Sequence, residues 1–219
     1  IEGLHWIRVH YVYPDEIDDE FIQTMAQEPK IVKYLDIPIQ HCNDHILELM
    51  NRRGNGEFLR QLLKRLRDGI PGLVIRTSLI TGLPGEGEEE FDELCDFLRE
   101  QKLLRAGVFP YSPEEGTRAA KMERVDSDEA ARRAERIVDI QSEIIDAWND
   151  ERQGDVMEVL CEGFDGQSML FVGRSYAESP DIDGRIYFSA PRDVAAGEFV
   201  PVRITGAMDG ELTGELAEE

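Results

Sequence analysis

Three short segments of this sequence combine polar side chains with glycine or proline, as ligand-binding loops do. They are Gln40-His41-Cys42, the run Arg76-Thr77-Ser78 that leads into Gly82–Glu86, and Tyr111–Thr117. Amide, imidazole, hydroxyl and guanidinium groups can donate or accept hydrogen bonds, and glycine lets the backbone come close to a ligand. These residue types predict a binding site for a small polar molecule.

Each candidate residue also has a purely structural interpretation. His41 and Gln40 could bind a ligand, or they could cap the helix that follows. Arg76 could bind a ligand carboxylate or pair with a structural acid. Cys42 has no paired base in the sequence, which favours an inert thiol.

The loop Gly82–Glu86 leads into Glu88-Glu89-Glu90 at the predicted start of a helix. Free N–H groups at a helix start can bind anions, but this acidic run would repel phosphate and is also typical of any helix start. The loop therefore favours a ribose or a carboxylate as its ligand over a phosphate.

An alternation of strands and helices must position these segments. Apolar runs predict four strands, each followed by a helical pattern, and strands separated by helices indicate parallel βαβ units. Ligands of parallel sheets bind at the carboxyl ends of the strands, where all three polar segments fall. The predicted strands are Trp6–Tyr13, Val32–Ile39, Leu73–Ile80 and Leu104–Tyr111, and the helices are 15–27, 44–53, 56–68, 88–101 and a long closing helix at 127–152.

After Gly154 the pattern changes to about five short β-rich runs separated by glycines, prolines and acidic turns. Such a pattern predicts a small, five-stranded antiparallel barrel. The expected organisation is α/β: part of an open parallel barrel over residues 1–125, a connecting helix over 126–153, and the small barrel over 154–219. The last part holds fourteen acids against four arginines, a net charge of −10.

Composition narrows the classes of partner. The whole chain has 46 acidic and 24 basic side chains and a formal charge of −22, so free nucleic acid is a poor partner and a basic protein a good one. No apolar run approaches the roughly 20 residues of a membrane span. Three cysteines, widely separated and without CxxC spacing, indicate neither a disulfide framework nor a metal site, and predict a cytoplasmic protein.

Taken together, five blocks resemble the radical-SAM methylthiotransferases. Four match the catalytic region in the order of the family, and the fifth resembles the RimO version of the C-terminal TRAM domain. The blocks are YLDIPIQHCND (34–44), MNRRG (50–54), IRTSLITGLPGEGEEEF (75–91), GVFPYSPEEGT (107–117) and GRSYAESPDIDGRIYF (173–188).

The resemblance implies the C-terminal part of an open radical-SAM barrel followed by an OB-like TRAM barrel. It implies an enzyme with two 4Fe–4S clusters and S-adenosylmethionine that adds a methylthio group to the β-carbon of an aspartate in the twelfth small-subunit ribosomal protein. The resemblance also implies that six residues of this chain form part of the wall that binds S-adenosylmethionine and substrate. They are Gln40, His41, Arg53, Arg76, Ser78 and Glu86.

This sequence departs from the family by lacking the cysteines that hold the clusters, including the CxxxCxxC loop. Thiolates hold such clusters, so we expect no metal site here and no activity from this chain alone, and we expect it to be cut from a longer protein. We also expect its first strand, at an open sheet edge, to promote self-association.

Two other functions remain. A MiaB-like enzyme would modify tRNA with the same catalytic blocks, but RNA binding needs a basic surface, and the C-terminal barrel is acidic. The chain could also be a non-catalytic acidic module that binds a basic protein. The charge of the barrel favours the basic ribosomal protein as its partner.

Overall fold

A computed structural model describes residues 2–217. The chain divides into two compact units, one ending at Ile144 and the other beginning at Ile145. The first alternates strands with helices, and the second is mostly β. In the part of the chain that the structure describes, no helix is long and apolar enough to cross a membrane.

The first unit contains a four-stranded parallel sheet in the order β1-β2-β3-β4, which confirms the predicted α/β architecture. Ser78 of β3 lies beside Gly107 of the edge strand β4 in their register. The strands are β1 (Ile7–Val9), β2 (Ile31–Asp36), β3 (Val74–Thr81) and β4 (Arg105–Pro110), and the helices are α1 (Asp19–Gln27), α2 (Asp44–Leu49), α3 (Gly56–Gly69), α4 (Glu88–Gln101) and α5 (Ser127–Glu151).

Several predicted elements are shorter than the sequence pattern suggested. Strand β1 spans only Ile7–Val9, where the pattern predicted Trp6–Tyr13. The first helix begins only at Asp19, because Asp18 adopts an extended backbone and its side chain accepts the N–H of Phe21 at 2.8 Å, as an N-cap does. Pro14–Glu16 before it form a separate 3-10 turn. Helix α2 ends at Leu49, and Asn51 then takes a left-handed φ of 55°.

The core of this unit lies between the sheet and its helices. Helix α3 shows why: its buried leucines recur three or four residues apart and so share one face. On β3, Thr77 and Thr81 also face the helices, and the Thr81 hydroxyl donates to Ala130 O of α5 at 2.8 Å. The buried leucines of α3 are Leu59, Leu62, Leu63 and Leu66.

The second unit contains a closed five-stranded barrel in the order β5-β6-β7-β9-β8. The barrel is closed and has five strands, as predicted. The prediction that all of its strands pair antiparallel was wrong, because β7 and β9 pair in parallel. The chain reverses between β8 and β9, which brings β9 back beside β7 in the same direction. The strands are β5 (Val156–Asp165), β6 (Leu170–Arg174), β7 (Ile186–Ser189), β8 (Phe199–Met208) and β9 (Glu211–Leu216).

Alternation fills the barrel with apolar side chains and leaves polar ones outside. Met157, Val159 and Cys161 of β5 point inward, whereas Glu158 and Glu162 are exposed. Gly173 and Gly214 permit close strand approach, because a Cβ at either position would lie 2.5 Å from a backbone oxygen.

Candidate functional site

An open cleft of about 870 Å³ lies at the carboxyl ends of the parallel strands. Its wall includes Gln40 after β2, Ser78 and Ile80 of β3, Phe109 of β4, and Tyr111 just after β4. The three polar segments singled out from sequence therefore meet at one edge of the sheet. Ligands of parallel sheets bind at this edge.

Strand β3 divides its side chains between the cleft and the core. Arg76, Ser78 and Ile80 are partly buried on the inner face, while Thr77 and Leu79 are buried against the helices. Of the six predicted site residues, only Ser78 and Gln40 line the cleft.

Gln40 is held in position by its own backbone. It adopts a left-handed φ of 70°, an uncommon conformation for a residue other than glycine. Its N–H donates to Ser78 O, and its carbonyl accepts the N–H of Ile80, both at 2.9 Å. These bonds extend the sheet pairing past the end of β2 and fix the Gln40 side chain at the wall of the cleft.

His41 and Glu86 lie behind the cleft wall, with both side chains completely buried. His41 Nδ1 accepts the N–H of Asn43 at 3.0 Å, and His41 Nε2 lies 3.5 Å from Glu86 Oε2. Neither of these two facing atoms has a hydrogen-bond partner among the described residues. The N-cap of α2 is Asn43, so His41 does not cap the helix but accepts the N–H of its N-cap residue. Ligand binding by His41 stays a prediction.

Glu86 joins this pair to helix α5. Its Oε1 accepts the N–H of Gly82 at 2.9 Å and an N–H of Arg133 at 2.8 Å. Arg133 also donates to Glu86 O at 3.0 Å and to Glu129 at 3.1 Å. Below, His41, Glu86 and Arg133 are called the buried triad; it ties the end of β2, the β3–α4 loop and α5 together.

The environment keeps Glu86 ionised. Burial alone would raise the pKa of Glu86, but the facing His41 ring, the N–H of Gly82 and the Arg133 guanidinium together lower it below its ordinary value of 4.5. A carboxylate that accepts several hydrogen bonds is stabilised in its charged form. The triad therefore supports the loop through a buried negative charge.

Gly82 is where this loop passes closest to α5. It has a left-handed φ of 75°, and a Cβ there would lie 2.3 Å from the Cβ of Ala130. Both observations call for glycine. The loop thus serves packing against α5, and it presents Leu83 to the cleft.

Arg76 pairs with a buried acid on the neighbouring strand. Its Nη1 lies 3.1 Å from Asp36 Oδ2 and 3.2 Å from Oδ1, and the Asp36 side chain is 2% exposed. The guanidinium lies next to Gly107, where a Cβ would meet Arg76 Nη2 at 3.5 Å, an ordinary van der Waals contact. The pairing with a structural acid is present, and ligand binding by Arg76 stays a prediction.

Arg53 lies apart from the other candidates. Its side chain is 86% exposed and pairs with Asp15 at 3.1 Å. It borders a smaller pocket of about 250 Å³ that also includes Tyr13 and Arg52, and the Arg52 guanidinium lies 5.4 Å from the centre of the Tyr13 ring.

The three thiols do not form a site. Cys42, Cys95 and Cys161 are free and buried, and burial raises the pKa of all three. A buried thiol is a poor nucleophile. Among residues 2–217, no group of three or more His, Cys, Asp or Glu side chains could hold a metal ion.

Sequence reasoning missed several residues of the cleft wall. Tyr11 and Phe109 contribute aromatic surface, and Arg118 contributes a positive charge. Tyr111, which begins the third polar segment singled out from sequence, adds a further ring. The Tyr111 hydroxyl is buried and has no hydrogen-bond partner in the described part of the chain. The signal for Tyr111 was its position directly after β4, whereas Tyr11 owes its place to a left-handed φ of 59° that the sequence did not reveal.

Comparison with known families divides the chain into two matched regions. The model of the radical SAM superfamily matches residues 2–98, and that of the TRAM domain matches residues 154–217. The first match includes β1, β2 and β3, and the second includes the whole barrel.

Curated relatives match over the full chain. The protein of Acetivibrio thermocellus named ribosomal protein uS12 methylthiotransferase RimO is 46% identical over 220 residues, covering 100% of this chain and 49% of the relative. Its namesake from Symbiobacterium thermophilum is 43% identical over 221 residues, covering 100% of this chain and 46% of the relative. The chain spans about half the length of the curated relatives it matches.

Among solved structures, the radical SAM enzyme coproporphyrinogen III oxidase from Escherichia coli is similar in fold. It superposes with a TM-score of 0.52 at 22% identity, over 62% of this chain and 32% of the other. At this identity the match concerns the fold alone.

Proposed function

The chain belongs to the RimO-type family of radical-SAM methylthiotransferases, and we propose that it supplies such an enzyme with one wall of its reaction cleft and with the surface that recognises its substrate. The proposed reaction adds a methylthio group to the β-carbon of an aspartate in ribosomal protein uS12. The observation that carries the proposal is the similarity to RimO proteins over the whole chain, from the parallel sheet to the barrel.

The cleft suits S-adenosylmethionine, which the radical SAM superfamily uses together with a 4Fe–4S cluster. Its wall combines aromatic rings with the amide of Gln40 and the hydroxyl of Ser78, and such groups can hold a nucleoside and a polar tail. When bound, this cofactor supplies radical chemistry. The residues of this chain would orient it, and the buried triad would fix the loop beneath it.

The described residues do not fit an iron–sulfur cluster. Cluster binding requires several convergent thiolates, and here the thiols are buried in three separate places. We therefore propose that neither of the two clusters of the family is held by this chain and that the chain alone is inactive. Its free thiols suit a cytoplasmic protein.

The barrel suits a basic protein as partner. Its net charge of −10 would attract a basic ribosomal protein and repel the phosphates of RNA. The alternative, tRNA modification as in MiaB-like enzymes, would need a basic surface on or near the barrel. A non-catalytic module that only binds a basic protein would share this surface but have no use for the cleft.

Calorimetric titration across a salt series tests these alternatives. We expect the chain to bind purified uS12 with an affinity that falls as salt rises, and not to bind unmodified tRNA. Binding to tRNA alone would overturn the proposal in favour of the MiaB-like function. We also expect the chain to bind S-adenosylmethionine, and Gln40→Ala to weaken that binding. A module that only binds protein would not bind S-adenosylmethionine.

A further inference from the structure

One end of the barrel carries apolar side chains in an otherwise acidic surface. At the β5–β6 hairpin, Phe164 is 53% exposed and Met169 is 70% exposed. The two residues flank the same short turn. Single exposed apolar residues are common, but neighbouring ones of this size often mark an interaction surface.

Ring contacts hold the Phe164 side chain from within the barrel. Phe188 is fully buried and stacks on Phe171, with ring centres 5.6 Å apart, and Phe171 meets Phe164 edge to face at 5.2 Å. The three rings form a ladder from the core to the surface. A rigid aromatic anchor loses little conformational entropy on binding, which is typical of residues that dominate interface energies.

The turn itself is also fixed. Asp165 accepts the N–H groups of Gln167 and Ser168 at 3.1 and 3.0 Å and the hydroxyl of Ser168 at 2.6 Å. Met169, at the end of the turn, has a left-handed φ of 58°, a costly conformation for a side chain with a Cβ. The turn therefore holds an exposed methionine in place at some expense to stability.

Two carboxylates, Asp165 and Glu162, lie near this apolar end. The hydrogen bond from the Ser168 hydroxyl is the main cause that lowers the pKa of Asp165, with contributions from two backbone N–H groups and from Arg185. Asp165 therefore stays ionised beside Phe164. Glu162 lies on the exposed face of β5, where it pairs with Arg174 at 2.8 Å.

We propose that Phe164, Phe171 and Met169, together with Asp165 and Glu162, form a docking surface for a segment of a basic protein. An arginine or lysine of the partner would place its cationic head over the Phe164 ring and near the carboxylates, and its aliphatic stem against Met169. The charge of the barrel selects a basic partner, and the aromatic ladder supplies the apolar contact. This inference rests on the proposed function, which supplies uS12 as the partner to test.

The opposite end of the barrel offers a matched control. Met208 is 57% exposed at the β8–β9 hairpin. The register pairs Val156 with Arg203 and Leu160 with Phe199, so Met208 lies beyond the start of β5, whereas Met169 lies beyond its end. Met208→Ser therefore removes another exposed methionine at the opposite end of the barrel.

The experiment compares the uS12 affinity of four chains by calorimetry: the unaltered chain, Phe164→Ser, Met169→Gly and Met208→Ser. We expect about a tenfold loss of affinity for Phe164→Ser, which corresponds to about 1.4 kcal/mol, and a smaller loss for Met169→Gly. Met208→Ser should bind like the unaltered chain. Glycine at position 169 relieves the left-handed strain, so lost binding there cannot be attributed to a damaged fold.

The outcomes separate the two proposals. Undiminished binding by Phe164→Ser and Met169→Gly, or equal losses in all three variants, overturns the docking surface while leaving uS12 as the partner. No binding of uS12 by the unaltered chain overturns the partner and the surface together.

Discussion

Several charged side chains are buried in the α/β unit, but only one in the described part of the barrel. In the α/β unit, Asp36, His41, Glu86, Arg105 and Arg133 are buried. Glu86 pairs with His41 and Arg133, and Asp36 pairs with the partly buried Arg76, so these pairs join strands and loops across the core. In the described part of the barrel, Glu178 is the one acidic or basic side chain exposed by less than a tenth of its surface; its carboxylate accepts the N–H and hydroxyl of Ser175.

Buried charges in the α/β unit and exposed charges on the barrel therefore have different roles. A buried ion pair fixes geometry and is costly to break, because the remaining partner stays buried without compensation. A surface charge contributes little to stability but acts at a distance on a partner. We therefore expect single substitutions to damage the cleft through stability and the barrel through binding.

The largest expected effect is at Glu86. Glu86→Ala would leave Arg133 and His41 buried around an empty position, and we expect a loss of about 3–5 kcal/mol in unfolding free energy. Amide hydrogen exchange of β2 and β3 would measure this for the α/β unit alone. Glu88→Ala is the control, since Glu88 approaches the same arginine at 3.6 Å with a side chain that is 69% exposed, and it should cost at most about 1 kcal/mol. Equal effects of the two substitutions would remove the contrast between buried and exposed charge.

Acid should weaken the α/β unit through the same carboxylate. The folded pKa of Glu86 lies below 4.5, so its stabilising contribution is complete above that value and is lost as the pH falls through the lower, folded value. We expect the exchange-derived stability of β2 and β3 to fall from about pH 5 downward, and to fall less in Glu86→Gln. An identical acid profile for Glu86→Gln would show that other groups cause the loss.

Substitutions of Arg76 and Arg53 test the contrast between buried and exposed ion pairs within the α/β unit. Arg76→Met leaves the buried Asp36 without its guanidinium partner, with a predicted cost of about 1–3 kcal/mol in unfolding free energy. Arg53→Met removes a partner of Asp15 from the surface and should cost less than about 1 kcal/mol. Urea unfolding monitored by exchange of β3 amides measures both. A larger loss for Arg53→Met would contradict the assignment of Arg76 as the structural member.

The smallest expected effect on stability is in the barrel. Glu162→Ala breaks an ion pair with Arg174 in which the two side chains are 37% and 18% exposed, and we expect about 0.2–1 kcal/mol. Thermal unfolding followed by circular dichroism would detect a larger value. The same substitution should weaken uS12 binding and reduce its salt dependence, which would show that the charge serves the partner rather than the fold.

The sequence predicted the architecture well because the elements depend on local patterns. The leucine spacing of α3 and the acidic start of α4 specify those helices without tertiary information, and α4 begins and ends where the pattern predicted. The parallel pairing of β7 with β9 depended on how the barrel closes, which no local pattern encodes.

The site was harder to predict because residue type does not reveal which way a side chain faces. On β3, alternation placed Ser78 at the cleft and Thr77 in the core, and strand periodicity could have foretold this. His41 directly follows Gln40, but the left-handed turn at Gln40 sends the histidine into the core. That turn is stabilised by bonds to β3, a partner distant in sequence.

The parallel pair of β7 and β9 bears on how the barrel forms during synthesis. A ribosome delivers β5 to β8 before β9, and these four strands pair in the order β8-β5-β6-β7, leaving both outer strands with open edges. Strand β9 then bonds to both edges at once. Such non-local pairing is slow, so the nascent barrel depends on its last strand to remove the two edges at which it could aggregate.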